Sequence, residues 1–148
     1  MVKKILVSLI SLLVFFSCVF LYWPLSLSDV IAENEELYIQ HGGWQFTERG
    51  TISGKKYTDV ELQPDTEQFD EIVQVISSYT YHRSLRTFFG DSSISGKGDS
   101  LYIRSGANTI SNLGSGEILI NGTVYRLGYW KDKKAQEMID EITALILE

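Results

Sequence analysis

The apolar run near the amino terminus constrains this chain more than any other feature of its sequence. Residues 5–23 carry no charged side chain. As an α-helix these nineteen residues would be roughly 28 Å long, close to the ~30 Å hydrocarbon thickness of a bilayer. Tyr22 and Trp23 end the run, where amphipathic rings favour the lipid–water boundary, and Pro24 follows. Residues 1–24 are therefore predicted to be a transmembrane anchor, or an uncleaved signal, that contacts the membrane through residues 5–23.

Charges on the two sides of the run predict its orientation. Lys3 and Lys4 precede it, whereas the acidic residues Asp29, Glu33 and Glu35 follow it. Positively charged flanks stay on the cytoplasmic side of a membrane. We therefore expect a single-pass protein of the cell membrane, with its amino terminus in the cytoplasm and everything after residue 24 outside.

The sequence leaves two alternatives to a retained anchor. The tripeptide Val-Ile-Ala at residues 30–32 is compatible with cleavage of a secretory signal, which would release the protein, although the apolar run is longer than a typical signal has. Cys18 follows Ser17 as in a bacterial lipoprotein attachment sequence, with Phe15 where leucine is usual. Cys18 is the one cysteine of the chain, which excludes an internal disulfide and a cysteine-based zinc cluster.

The composition fits a globular domain with an acidic surface. The chain is 44% hydrophobic and 22% charged, which argues against disorder. Lys3 and Lys4 are two of its 13 basic residues, so the rest of the chain carries 11 basic side chains against 19 acidic ones. Because such a surface repels a phosphate backbone, we expect no nucleic-acid partner.

The glycine-rich stretch at residues 90–98 resembles a phosphate-binding loop only in part. That motif has four residues between its two glycines and a hydroxyl residue after its lysine, and it opens a helix. Here five residues separate Gly90 from Gly96, Gly98 follows Lys97, and the strand pattern SLYIRSG comes next. The sequence therefore predicts a flexible connector, no nucleotide partner and no cofactor.

Strand patterns fill much of the chain after the anchor. They cover residues 36–46, 55–62, 79–89, 99–106 and 108–130. Within the last of these, Asn121-Gly122 separates two apolar runs, and both residues tolerate the positive φ angles that a type I′ turn requires. A tight antiparallel hairpin is therefore predicted there.

Two amphipathic helices are predicted beside these strands. Residues 65–79 form the first, with Asp65 or Thr66 as its N-cap and Gln68 completing a capping box. Residues 131–148 form the second. The apolar side chains of each helix recur at helical spacing and make one stripe: Phe69, Ile72, Val73 and Ile76 in the first, and Ala135, Met138, Ile139, Ile142, Leu145 and Ile146 in the second.

The predicted fold class is α+β, with the N-terminal transmembrane helix followed by a two-layer domain of antiparallel sheet with two packed helices. This domain is assigned to residues 37–148 and is expected outside the cytoplasm. Residues 25–36, LSLSDVIAENEE, are predicted to be a short acidic tether between the anchor and the domain.

Candidate catalytic residues are few. His41 and His82 are the only histidines, they lie far apart in the sequence, and no G-x-S-x-G nucleophile elbow is present. Acidic residues occur as sequence neighbours, whose side chains point apart on a helix. We therefore expect no catalytic, cofactor-binding or metal-binding residue and no enzymatic activity. The alternative is a small extracytoplasmic hydrolase that uses His82 or His41.

Aromatic residues are the remaining candidates for function, since tyrosine and tryptophan are favoured in protein interfaces. The domain has more of them than a small core would hide, and five are the expected partner-binding residues: Trp44, Tyr81, Tyr102, Tyr129 and Trp130. The predicted function is that of a membrane-tethered, extracytoplasmic binding or accessory protein whose partner is another protein. Immunity toward a secreted toxin is one specialisation of such a role.

The overall pattern resembles small membrane-anchored or secreted proteins of Gram-positive bacteria. These share a lysine-led apolar amino terminus, a short acidic segment and a β–helix–meander–helix domain with a hairpin like ILINGTVYRL, residues 118–127 here. The resemblance covers about residues 50–147 and implies the fold and a bacterial membrane location. It supplies no catalytic residues.

Overall fold

The described residues of the computed structural model form three α-helices, one 3₁₀ turn and eight strands. They are residues 2–26, 30–32, 34–46, 52–54, 58–89, 99–112, 116–128 and 133–147, so the glycine-rich stretch at 90–98 lies outside them. The helices are α1 (Val2–Tyr22), α2 (Glu67–Ser78) and α3 (Lys134–Leu147), and the 3₁₀ turn is Leu85–Phe89. The strands are β1 (Leu37–Phe46), β2 (Ile52–Gly54), β3 (Thr58–Leu62), β4 (Tyr81–Arg83), β5 (Asp99–Ser105), β6 (Asn108–Asn112), β7 (Glu117–Ile120) and β8 (Thr123–Leu127).

The described strands form one antiparallel sheet. Its order is β2-β1-β5-β6-β7-β8-β4, in which β5 to β8 are a meander of sequence neighbours. The other edge of β1 pairs with β3 over residues 37–41 and with β2 over residues 44–46. Because β2 and β3 lie end to end along this edge of β1, the eight strands occupy seven positions across the sheet. The predicted α+β class with an antiparallel sheet is confirmed.

The core lies between the sheet and the helices α2 and α3. The predicted apolar stripes are buried in both helices, as Phe69, Ile72 and Ile76 in α2 and as Ala135, Met138, Ile139, Ile142 and Ile146 in α3. Ile39, Ile103 and Ile118 from the sheet join the same cluster. Full burial of one such side chain contributes about 1.5–3 kcal/mol, so this layer contact holds the domain together.

The first turn of α2 differs in one detail from the prediction. Thr66 is the N-cap, and its side-chain oxygen accepts a hydrogen bond from the backbone N–H of Phe69 at 3.3 Å. The predicted capping box is wrong, because Gln68 turns away from the cap and its Nε2 donates to the carbonyl of Leu145 at 2.5 Å. Gln68 thereby links α2 to α3.

The Asn121-Gly122 turn has the predicted geometry. Asn121 has φ of +49° and Gly122 has φ of +78°, as a type I′ turn requires. Ile120 pairs with Thr123 across it. The Asn121 side chain also accepts a hydrogen bond from the backbone N–H of Thr109 at 2.8 Å, so the turn is joined to the neighbouring strand β6.

The segment at residues 79–89 is only partly a strand. Strand β4 ends at Arg83, where the chain enters the 3₁₀ turn. The Ser84 backbone N–H still donates to the Val124 carbonyl at 2.8 Å, and the Thr87 N–H then donates to the Ser84 carbonyl at 3.1 Å. The second bond closes a local turn, which ends the pairing with β8.

The predicted tether requires correction, because the described part of residues 25–36 belongs to the folded domain. Val30 and Ile31 are core residues, 1% and 4% exposed. The backbone N–H of Leu25 donates to the Tyr81 carbonyl at 3.0 Å, and that of Ala32 donates to Ser105 Oγ at 3.0 Å. Burial of two large apolar side chains outweighs the solvation of the acidic residues around them, so the domain starts before residue 37.

Helix α1 is long and apolar enough over Lys3–Tyr22 to cross a membrane, a property that a signal sequence shares. Most of its large apolar side chains, among them Leu9, Leu13 and Phe16, are more than half exposed. In water such a surface would be costly, whereas in hydrocarbon it is solvated. The length and composition that the sequence predicted are therefore confirmed.

Candidate functional site

The end of α1 is attached to the edge strand β4 by two side chains. Nδ1 of His82 lies 3.1 Å from the Tyr22 carbonyl oxygen. Nη1 of Arg83 donates to the Phe20 carbonyl at 3.5 Å, and the guanidinium carbon lies 4.3 Å from the centre of the Phe20 ring. Carbonyls at the carboxyl end of a helix lack partners within the helix and carry partial negative charge, so cationic donors are favoured there.

His82 is 5% exposed, and its hydrogen-bond partner, the Tyr22 carbonyl oxygen, determines the role of Nδ1. A carbonyl oxygen only accepts hydrogen bonds, so Nδ1 of His82 must carry the hydrogen in this contact. The imidazole also packs near the Tyr22 ring, with the ring centres 6.2 Å apart. Both contacts give His82 a part in holding α1 on the domain.

A charged row crosses the sheet beside His82. His82 pairs with Arg126 across β4 and β8, and Arg126 pairs with Glu117 across β8 and β7. Directly paired residues project on the same face of a sheet. These three residues, together with Arg83 and Arg86 from the strand end and the 3₁₀ turn, are called the junction site below.

Glu117 is the acidic member of the junction site and is 8% exposed. Its Oε1 accepts a short 2.5 Å hydrogen bond from the Ser84 hydroxyl, and its Oε2 lies 2.9 Å from Nη1 of Arg86. Nε of Arg126 is 3.6 Å from Oε1. A carboxylate is buried at tolerable cost only with such hydrogen bonds and cations around it. Glu117 thus holds Arg86 in place and lies close to the more exposed Arg126.

A cavity of about 110 Å³ lies between α1 and the junction site. Its walls are Leu21, Tyr22, His82, Arg83, Leu85, Arg126 and Gly128. A second cavity of about 300 Å³, lined by Trp23, Pro24, Leu25, Ser26 and Tyr125, shares Arg83 as a wall. Among the described residues that line the smaller cavity there is no serine and no carboxylate, so its chemistry is cationic and apolar.

The two histidines lie on opposite faces of the sheet. His41 belongs to the face of Ile39, which packs in the core, because they are two residues apart in β1. Tyr81 faces that same core, so its neighbour His82 faces the other way. The two imidazoles cannot share a metal ion or a substrate. Among the described residues no cluster of His, Cys, Asp or Glu could hold a metal.

The face of the sheet away from the helices carries a polar patch, formed by Tyr38, Gln40, Asp59, Tyr102 and Arg104. Gln40 Nε2 donates to Asp59 Oδ1 at 3.1 Å and to the Tyr38 hydroxyl at 3.5 Å. The Arg104 guanidinium carbon lies 5.3 Å from the centre of the Tyr38 ring. Partial burial, followed by the nearby Asp59 carboxylate, raises the pKa of Tyr38. The patch is thus a preformed surface of aromatic and hydrogen-bonding groups.

The structure separates the five aromatic residues predicted to bind a partner. Tyr102 lies in the polar patch, opposite Gln40, and is partly exposed. The prediction that Tyr81 contacts a partner is wrong. Tyr81 is 1% exposed, and its hydroxyl donates to the Ile76 carbonyl at 2.5 Å. The alternation of β4 directs Tyr81 into the core, so it cannot contact a partner. The Trp44 side chain, Tyr129 and Trp130 lie outside the described residues.

Sequence reasoning missed the arginines and the glutamate of the junction site. Arg83, Arg86 and Arg126 are spread over 44 sequence positions, and Glu117 merely precedes an apolar strand. The sequence offers one indication of the site: the acidic Glu117 is the first residue of the otherwise apolar strand β7. Cross-strand register brings these residues together, and register is not visible in the sequence of one strand.

The junction site and the polar patch both combine accessible polar groups with a defined geometry. The polar patch and three residues of the junction site, His82, Arg126 and Glu117, lie on the face of the sheet that α2 and α3 leave uncovered, whereas Arg83 lies on the face of Tyr81 at the edge strand. No protein-family model, curated protein or solved structure matches this chain.

Proposed function

We propose that this chain is a membrane-anchored binding protein without enzymatic activity. In this proposal α1 is retained and crosses the cell membrane once with its amino terminus in the cytoplasm. The α+β domain then lies outside, as on a bacterial cell, and binds another protein through the polar patch. The observation that carries the proposal is the attachment of α1 to the domain by Leu25, His82 and Arg83.

Core residues before residue 32 support retention of the anchor. Cleavage after Ala32 would remove Val30 and Ile31, whose side chains are almost completely buried. Each contributes about 1.5–3 kcal/mol through burial, which is a large part of the stability of a small domain. The hydrogen bonds from Leu25 and Ala32 to the sheet would be lost as well.

The polar patch supports a protein partner. Tyr102 and Tyr38 are partly exposed beside the exposed Arg104 and Asp59, and tyrosine and arginine are enriched in protein interfaces. The hydrogen bonds of Gln40 hold the patch in one arrangement before a partner arrives, which lowers the entropic cost of binding. The hydrolase alternative that uses His82 has less support, because the described walls of the His82 cavity provide no serine and no carboxylate.

Retention is tested on the full chain with a carboxyl-terminal tag. We expect the membrane fraction to contain the intact mass, with α1 still attached. A released product that begins at Glu33 would contradict the proposal. A mass that corresponds to lipid attached at Cys18 would identify the lipoprotein alternative and contradict the membrane-spanning anchor.

Topology is tested with the Cys18→Ser variant carrying one new cysteine. With Ala144→Cys, on the exposed side of α3, a membrane-impermeant maleimide should label intact cells. With the matched variant Val2→Cys, which keeps both lysines of the flank, it should label only lysed cells. The reverse pattern would place the domain in the cytoplasm.

Partner binding is tested with a photo-crosslinking amino acid at Tyr102 and, as control, at Ala144. We expect a discrete crosslinked product from position 102 alone, weakened by Arg104→Glu. Equal products from both positions would contradict a role for the polar patch. An immunity-like role would require that the captured protein is a toxin and that the chain protects cells against it.

A further inference from the structure

We propose that the cavity between α1 and the junction site binds the phosphate of an anionic phospholipid, with Arg83 and Arg126 as its ligands. This inference rests on the proposed function in one respect, namely that α1 is retained in the bilayer. It adds a specific lipid contact to an anchor that would otherwise be held by apolar surface alone.

The cavity lies at the depth where lipid phosphates occur. Leu21 and Tyr22 from the last turn of α1 form one wall, and Trp23, which follows, is 67% exposed. The end of a membrane-spanning helix with aromatic side chains marks the headgroup region. Arg83 contacts Phe20 in α1, so its guanidinium lies beside this boundary.

The charge at the cavity is opposite to the charge of the domain. Acidic side chains outnumber basic ones in the chain by 19 to 13, yet the ionic groups of the cavity wall are Arg83 and Arg126, with His82 beside them. Glu117 is engaged by Ser84 and Arg86. The Arg126 side chain remains 57% exposed at 3.6 Å from Glu117, so its planar guanidinium can also donate to a phosphate.

Apolar side chains next to the cavity fit contact with lipid chains. Outside residues 2–23, three large apolar side chains of the described chain are clearly exposed: Leu85, Phe89 and Leu147. Two of them belong to the 3₁₀ turn, where Leu85 is 60% and Phe89 is 83% exposed. Leu85 also forms part of the cavity wall. Cationic groups flanked by exposed apolar ones are typical of a surface that rests on anionic lipid.

The test is native mass spectrometry of the full chain in detergent, titrated with phosphatidylglycerol or with phosphatidylcholine of the same acyl chains. We expect one phosphatidylglycerol to be retained preferentially. Removing an arginine from the site should weaken this binding about fivefold, and Arg83→Gln with Arg126→Gln should remove most of the preference. Arg104→Gln, three strands away from β8, is the matched control and should bind like the wild type.

Three results would overturn the inference: equal retention of the two lipids, an equal loss in Arg104→Gln, or displacement by glycerol 1-phosphate at the same concentration as the lipid. The last result would identify a soluble phosphate ligand. Should the double variant fail to fold, Arg126→Gln alone gives the same comparison, since that side chain is largely exposed. Loss of α1 by cleavage contradicts the proposed function, whereas an intact chain in the membrane without lipid preference contradicts only this inference.

Discussion

The guanidinium of Arg83 lies over the ring of Phe20, 4.3 Å from its centre, and joins the edge strand β4 to the last turn of α1. The same side chain donates to the Phe20 carbonyl. A cation gains from both the face of an aromatic ring and the carboxyl end of a helix. This contact, together with the Leu25 hydrogen bond, attaches the domain to the helix.

Arg83→Ala is expected to loosen this attachment. Without the guanidinium, the last turn of α1 loses a donor to its carbonyls, and the Leu25–Tyr81 hydrogen bond loses a neighbouring support. Hydrogen exchange of a peptide covering residues 20–26 should become faster, while peptides from β5 and β6 exchange as in the wild type. Unchanged exchange at residues 20–26 would show that Arg83 does not hold the junction.

Ile31→Ala is expected to destabilise the domain by about 2–5 kcal/mol, as for other buried isoleucines. Ile31 is 4% exposed, and the matched control Leu147 is 59% exposed. Leu147→Ala should change the free energy of unfolding by less than about 0.5 kcal/mol. Denaturant unfolding of the full chain in detergent, followed by tryptophan fluorescence, measures both. Similar values for the two variants would restore the interpretation of residues 25–36 as a tether.

Glu117→Ala is expected to cost about 2–4 kcal/mol, slightly less than breaking a fully buried ion pair, because Arg86 retains some exposure. The variant leaves the Arg86 guanidinium and the Ser84 hydroxyl without their carboxylate. Lys134→Ala removes an exposed ion pair with Glu137 and should leave the melting temperature unchanged. An equally small effect of Glu117→Ala would mean that water replaces the carboxylate.

Stability is expected to fall at alkaline pH through two tyrosines. Burial raises the pKa of Tyr81, and burial followed by the hydrogen bond to Glu141 raises the pKa of Tyr79 to about 12. Unfolded tyrosine ionises near pH ~10, so above that pH the unfolded state loses protons that the folded state keeps. The stability that Tyr79 and Tyr81 contribute in their protonated form is therefore complete below about pH 10 and is lost as the pH rises toward 12. Tyr79→Phe should reduce the pH dependence of the unfolding free energy over this interval, and an unchanged slope would contradict the assignment.

Gly122→Ala is expected to destabilise the hairpin by about 1 kcal/mol through backbone conformation. Gly122 has φ of +78°, and a Cβ built there meets no atom within 4 Å among the described residues. Steric contact therefore adds nothing to the cost. Thermal unfolding measures the change, with Gly122→Asn as a control, because asparagine adopts positive φ more readily than alanine does. A neutral Gly122→Ala would contradict the type I′ turn.

Structural features that depend on residues close together in the sequence could be predicted from the sequence. The apolar stripe of α3 and the Asn121-Gly122 turn are fixed by helical spacing and by local φ preferences. The apolar length of α1 is likewise a property of consecutive residues. In each case the physical cause acts within one element, so the printed sequence already contains it.

Features that depend on strand pairing were decided by the tertiary structure. Tyr81 and Tyr102 both belong to predicted strands, yet the register of β4 directs Tyr81 into the core, while that of β5 leaves Tyr102 in the polar patch. Pairing of β4 with β8, and of β8 with β7, assembles the junction site from residues far apart in the chain. The burial of Ile31 likewise depends on contacts with core residues that are distant in the sequence.

From the sequence alone follow a membrane-length helix, two amphipathic helices and an antiparallel hairpin, because each arises from interactions between residues close in the chain. Only the folded sheet determines which tyrosine a partner can reach and which arginines meet the end of α1. One residue of register would exchange the two faces of a strand, and only the packing of the whole domain selects between them.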